Sequence, residues 1–327
     1  MKVFRAFVLI AVVAFASLIS AQLPPIATGE VLVTAFERVI CIGAATYNPY
    51  QFIFYRPDGG RVTDDPAMEW HAPDPLGGVI LTGYSPVLRQ FVVVKRDALQ
   101  RITSNRTFET LSTATPFNPS AMALNAQGEI YVIGSRGGLR LWRFSADGSL
   151  LQDNALALPP IFVYDASMDL AQDGCTAIIA ARRQIARHDV CTNTRLPDFA
   201  SSLPYDVTEA RYLPSGDVLV ATPNALVQLN PTGTPVRTYP MPPGGAANLK
   251  FAFDPTGTSV WIRRSPGCGG APLHLLRVDL ATGNVLSTTE VVETNANVAT
   301  SVSVLGEWRA ASDPAAIPKV VRRRAVR

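Results

Sequence analysis

Phe117–Leu151, FNPSAMALNAQGEIYVIGSRGGLRLWRFSADGSLL, reads as four short strands in succession. A first apolar strand ends at the turn Asn125-Ala126-Gln127-Gly128, and a second runs from Glu129 to Ile133. The loop Gly134-Ser135-Arg136-Gly137-Gly138 leads to a third strand, Leu139 to Phe144, and Asp147-Gly148 turns the chain into the last. Short apolar runs bounded by Gly, Asn and Asp clusters are what hairpin-linked strands require. A single four-stranded meander has two apolar faces and cannot bury both alone, so neighbouring copies are needed to cover it.

Those copies are present on both sides. MDLAQDGCTAIIAARRQIARHDVCTNT, ARYLPSGDVLVATPNALVQLNPTGTPV and LKFAFDPTGTSVWIRRSPGCGGAPLHLLRVDLATGNVLS follow, and two less regular copies precede, one starting near Met68 and one spanning Glu30 to Gly60. The glycines Gly78, Gly128, Gly174, Gly216 and Gly257 recur at roughly 40 to 50 residues, the length of one propeller blade. A second cue, an Asp or Asn closing the third strand, recurs at Asp58, Asp97, Asp147, Asp189, Asn230 and Asp279. The reading is an all-β protein, a six-bladed β-propeller with a seven-bladed ring as runner-up. A leftover strand, Ala299 to Val304, closes the ring by joining the first blade, since an open ring would leave a sheet edge free to pair.

The ends differ from the body. Lys2 and Arg5 precede an apolar run from Ala6 to Ile19 and then Ser20-Ala21, the layout of a secretory signal peptide. The run is shorter than the ~20 residues that span a bilayer. Residues 1–21 are therefore expected to be a signal peptide, 22–310 the propeller and 311–327 a basic, disordered tail. The product is expected to be exported, periplasmic or extracellular, and monomeric, with no membrane span. The formal net charge of +3 comes from those ends. Removing Lys2, Arg5, Lys319, Arg322, Arg323, Arg324 and Arg327 from the 29 basic residues leaves fewer than the 26 acidic ones. An acidic body argues against nucleic acid as a partner.

Four cysteines in an exported chain point to disulfides. Cys175 and Cys191 flank a hairpin whose loop at Arg182 to Gln184 sets them opposite each other, and this is the first expected pair. Cys41 and Cys268 form the second only if a six-bladed ring brings the first and last blades together; a free, buried Cys41 is the alternative.

The chain carries no HExxH, GxSxG, Walker or GxGxxG motif. The pattern xPxGxxΦxV at the second strand and LLRVDLATGNVL at the third and fourth resemble a broad group of propellers: the NHL-repeat proteins, the streptogramin-lyase-like proteins and the SMP-30/gluconolactonase-like hydrolases. The resemblance covers about residues 28 to 305 and implies the propeller fold. For the hydrolases it also implies a metal near the channel mouth, held by a Glu, an Asn and Asp residues; this sequence departs from that pattern at the Glu, for which the first copy offers Glu30 and Glu37 only as candidates.

Just ahead of the first strand in successive copies stand Asp65, Asn118, Asp165, Asp206 and Asn248. One reading is that each caps its turn through an Asx bond to a backbone N–H. The other is that they ring the channel mouth as oxygen ligands for one divalent cation such as calcium. His71 follows Glu69-Trp70 and could face the same channel, whereas His188 reads as an exposed strand residue. Two functions stay open. The first is an exported binding or scaffold propeller presenting loops to a protein, glycan or small ligand. The alternative is a metal-dependent hydrolase or lyase of lactonase type, with the cation polarising a carbonyl at the channel mouth.

Overall fold

A computed structural model of the chain describes residues 29, 31–36, 50–55, 61–67, 70–74, 79–85, 90–97, 102–109, 118–159, 162, 166–241, 249–264, 273–291, 299–304 and 306–312. The chain folds as an all-β propeller. Its strands pair antiparallel into six four-stranded sheets, five of them built from consecutive strands. These five are β4 to β7 (Trp70–Pro73, Val79–Ser85, Gln90–Arg96, Ile102–Glu109), β8 to β11 (Asn118–Leu124, Ile130–Ser135, Leu139–Phe144, Leu150–Ala155), β12 to β15 (Ser167–Leu170, Thr176–Ala181, Gln184–Asp189, Thr194–Ala200), β16 to β19 (Glu209–Tyr212, Val218–Ala221, Ala225–Leu229, Pro235–Pro240) and β20 to β23 (Lys250–Phe253, Ser259–Arg264, Leu273–Asp279, Val285–Val291). The remaining sheet joins the two ends of the chain: β1 (Val31–Phe36), β2 (Tyr50–Tyr55) and β3 (Arg61–Ala67) are completed by β24 (Ala299–Val304). Strand β24 pairs with β1 from Val31↔Val304 to Ala35↔Ala299.

The innermost strands stand side by side around the axis: β24 next to β4, then β8, β12 and β16, with β20 next to β24. The second strands β9, β13, β17 and β21 are buried on both faces, which is why they read as continuous apolar runs rather than alternations. Along β13, Ala177 and Ile179 pack into a cluster with Tyr131, Leu141 and Met168, while Ile178 and Ala180 pack the other way against Ala210, Val218 and Val220. Along β17, Val218 and Val220 belong to that second cluster, and Leu219 and Ala221 face Phe251, Phe253 and Ile262. Period-two side chains thus divide each strand between its two neighbouring sheets. Each fully buried Ile or Val contributes about 1.5–3 kcal/mol. Outer strands are wetter, and β11 has no fully buried residue.

Turn chemistry fixes the register. Asn125 Oδ1 accepts the N–H groups of Gln127 and Glu129, and Asp254 Oδ1 those of Thr258 and Ser259. Each such turn closes on a glycine in the left-handed region, with φ 74° at Gly128 and 69° at Gly257. At the far end of the third strands, Asp189, Asn230 and Asp279 accept turn N–H groups in the same way. In the β14–β15 turn the left-handed residue is Asn193, with φ 55°, a conformation Asn tolerates better than most residues.

Cys175 and Cys191 form a disulfide, with 5.3 Å between the Cα atoms. It closes the end of the β13–β14 hairpin, where the Val190 N–H donates to the Cys175 carbonyl at 2.9 Å. Cys41 and Cys268 lie outside the described residues, as do the expected signal peptide and the basic residues of the tail. No helix among the described residues is long and apolar enough to cross a membrane.

Candidate functional site

Each innermost strand has one edge with no strand beyond it, and its inward N–H groups need acceptors. The neighbouring sheet supplies them. The Ala210 N–H donates to Ser167 Oγ at 3.0 Å, and the Phe251 N–H donates to Glu209 Oε2 at 2.9 Å. Ser167 and Glu209 occupy the same place in their copies, seven positions ahead of Gly174 and Gly216. A second tier repeats the device two residues along. The Tyr212 N–H donates to Asp169 Oδ2 at 2.9 Å, and the Phe253 N–H to Glu307 Oε1 at 3.1 Å. Thr208 Oγ1 donates to the Leu249 carbonyl, and Lys250 Nζ to the Thr208 carbonyl.

Carboxylates gathered this closely need counter-charge. Arg211 Nη2 lies 2.8 Å from Glu209 Oε1, and its Nη1 lies 3.4 Å from Glu307 Oε1. Arg309 Nη2 lies 2.9 Å from Glu307 Oε2, and the Glu307 side chain is 0% exposed. Burial raises the Asp169 carboxyl above the usual range, against the pull of Arg211 and Arg309. Burial also opposes the charge on Arg211, but Glu307 and Glu209 outweigh it and hold the guanidinium protonated. Burial lowers Arg263, behind this cluster, to about 10.

Glu307 and Arg309 come from 306–312, which follows β24 and crosses the end of the channel where inner strands hand over to second strands. The Trp308 N–H donates to the Asp254 carbonyl at 3.3 Å, and its indole meets Phe253 edge-on at 5.6 Å. Ala311 then packs into the cluster formed by β8 to β14. The C-terminal segment therefore links the β20 sheet and Arg211 of β16 to the cluster formed by β8 to β14.

Asp206 lies just before β16, about two-thirds exposed, with its Oδ1 3.8 Å from Arg183 Nε. Asn118 is the first residue of the inner strand β8, opposite Ser135; its side chain is outside the described part. Asp165 and Asn248 lie outside the described residues. Asp65 lies within β3, the outer strand of its sheet, paired with Phe52, rather than in the turn ahead of the inner strand β4. RVTDDPA alternates poorly, which hides it as a strand in the sequence. His71 is in the inner strand β4, opposite Leu81, with its side chain outside the described part. Among the described residues, no group of three or more His, Cys, Asp or Glu side chains is placed to share a metal ion.

His188 corrects another expectation. It is 1% exposed, not on the surface, and its Nε2 lies 3.0 Å from Asn193 Oδ1. The left-handed Asn193 folds the turn back over the ring, and burial lowers the imidazole pKa.

The charges that the sequence reading missed left a trace: Asp169 in SMDL, Glu209 and Arg211 in EARY, and Lys250 in KFAF interrupt strands that are otherwise apolar or aromatic. An ionisable residue at a fixed offset from the turn glycine, in a strand destined for the axis, signals an inter-sheet bond.

No known family profile matches the chain, and no curated protein matches it. Among solved structures, it is similar to a protein of unknown function from Bacteroides caccae, at 14% identity and TM-score 0.59, covering 85% of this chain and 99% of that one. A gluconolactonase from Xanthomonas campestris is similar at 14% identity and TM-score 0.49, over 74% of this chain and 84% of that one. Hydrazine synthase from Kuenenia stuttgartiensis matches at 14% identity and TM-score 0.49, over 79% and 71%. At this identity the first likeness supports the propeller fold and nothing finer; the other two carry no argument.

Proposed function

We propose that the chain is an exported, closed six-bladed β-propeller that works as a binding or scaffold ring, not as a metal-dependent lactonase. The observation that carries this reading is the use made of the axis. Asp169, Glu209 and Glu307 accept backbone N–H groups, and the last two also pair with Arg211, so these oxygens hold neighbouring sheets together. The chain's own residues 306–312 pack against the same strands, through Glu307 on Phe253 and Arg211 and Ala311 in the β8 to β14 cluster. On this reading residues 1–21 are removed on export, 22–310 form a monomeric ring, and the acidic body does not bind nucleic acid. Asn118, Asp165, Asp206 and Asn248 border a mouth whose loops meet the partner.

The test is metal dependence. A cation held by the native mouth must raise the melting temperature. The expected result is the same melting curve in calcium and in chelator, no stoichiometric divalent metal in purified protein, and no hydrolysis of a panel of γ- and δ-lactones. A calcium-dependent rise that vanishes in Asp165→Ala, together with lactone hydrolysis, would replace this reading with the hydrolase.

A further inference from the structure

The segment that closes the channel also builds a pocket. A cavity of about 150 Å³ opens between the turn after β12, the turn after β16 and the C-terminal segment. Its walls are Tyr212, Leu213, Pro214, Trp308 and Ala310, with Gln172 at the exposed rim. None of its lining residues is charged, although the Arg211–Glu307 network lies directly behind it. An ion would find no counter-charge on these walls.

Three polar groups on the wall are unspent. The Gln172 carboxamide, the Tyr212 hydroxyl and the Trp308 indole N–H make no hydrogen bond to another described residue. Trp308 is also fixed before any ligand arrives. Gly257 leaves it room: a Cβ there would come within 3.1 Å of Trp308 Cγ and 3.3 Å of Pro214 Cγ. The indole is backed by Phe253, so little side-chain freedom is left to lose on binding. The volume matches about five water molecules, less than a drug-sized ligand needs and enough for one small ring.

We propose that this pocket binds a single uncharged sugar ring, the terminal residue of a glycan. Aromatic faces at Tyr212 and Trp308 cover the C–H faces of such a ring, and the carboxamide, hydroxyl and indole N–H take its hydroxyl groups. The assignment rests on the binding-ring reading and names its ligand, at the turn end of the channel rather than at the mouth.

The experiment follows the four tryptophan indole N–H signals of the ¹⁵N-labelled full chain during titration with neutral methyl pyranosides of glucose, galactose, mannose and N-acetylglucosamine. The Trp308 signal is identified by its loss in Trp308→Phe. At least one glycoside is expected to move it saturably in the millimolar range. Gln172→Ala and Tyr212→Phe, which leave the packing of Trp308 intact, should each weaken that binding about tenfold, the loss expected for one hydrogen bond to a ligand hydroxyl. No movement with any glycoside overturns the proposal, and so does movement that both variants leave unchanged. A response to tetramethylammonium or to acetylproline amide, with none to the sugars, overturns it in favour of a cation or peptide and leaves the binding-ring reading standing. Failure of that reading would show separately, as metal-dependent lactone hydrolysis.

Discussion

Replacing Glu307 by Ala tests whether the axis is held by charge. The side chain is 0% exposed and its two oxygens serve three donors: the Phe253 N–H at 3.1 Å, Arg211 Nη1 at 3.4 Å and Arg309 Nη2 at 2.9 Å. Ala leaves the Phe253 N–H without its acceptor, at about 1–3 kcal/mol. It also removes a carboxylate from two buried guanidiniums; truncating one side of a buried pair costs about 3–5 kcal/mol in all. Arg211 keeps Glu209 at 2.8 Å, so the lower half of that range is expected, about 3 kcal/mol. Glu307→Gln keeps an acceptor for the N–H and should recover part of the loss. Urea unfolding of the oxidised chain, followed by near-ultraviolet circular dichroism, gives the difference as a shift in midpoint at constant slope. Asp206→Ala is the control, because its partner Arg183 is as exposed as it is and such pairs contribute about 0–1 kcal/mol. A Glu307→Ala cost as small as that of Asp206→Ala would refute the view that this network ties the sheets together.

Three further outcomes are expected. His188 has a folded pKa below its unfolded value, so the stability linked to it is present above the unfolded pKa of about 6.5 and is lost as pH falls through the folded pKa. Unfolding free energies measured between pH 7.5 and 5 should therefore fall by no more than about 1.4 kcal/mol per pH unit for this group, and His188→Gln should flatten that slope. Reducing Cys175–Cys191, or replacing both by Ala, should lower stability by about 3 kcal/mol on the loop-entropy account, read as a drop in urea midpoint. Gly216→Ala and Gly257→Ala both force a side chain into the left-handed region, at about 1 kcal/mol. Gly257→Ala should cost clearly more in the same unfolding assay, because its Cβ meets Trp308 and Pro214 while that of Gly216 meets nothing within 4 Å.

Legibility in the sequence followed the range of the forces involved. Turns are local, so Asn125-Ala126-Gln127-Gly128, Asp254 and Asp279 announced themselves, and with them the strands they join. The Cys175–Cys191 pair was legible because a hairpin fixes both partners within one unit. The axis was not, because its bonds join residues more than 40 positions apart, as from Tyr212 to Asp169. Such contacts depend on how sheets turn toward one another, so the charged residues that interrupt the inner strands mark a bond without naming its partner. His188 misled for a related reason: a strand flanked by Arg187 and Asp189 reads as exposed, but Asn193 folds the next turn over it. Asp65 misled because β3 lacks the alternation that would have shown it to be a strand at all.

The pairing of β24 with β1 also sets a timetable. Strand β1 begins at Val31 and waits for Val304, so the first sheet lacks its inner member until nearly the whole chain has been made and delivered. Five sheets are local and can form as they appear, but the last contact must close a loop of some 270 residues, and bringing such distant ends together is slow. Until then the edges of β1 and of the β4 and β20 sheets stand open to proteases and to other chains. A product shortened before Ala299 would be held in that unfinished state, with the inner edge of β1 left unpaired.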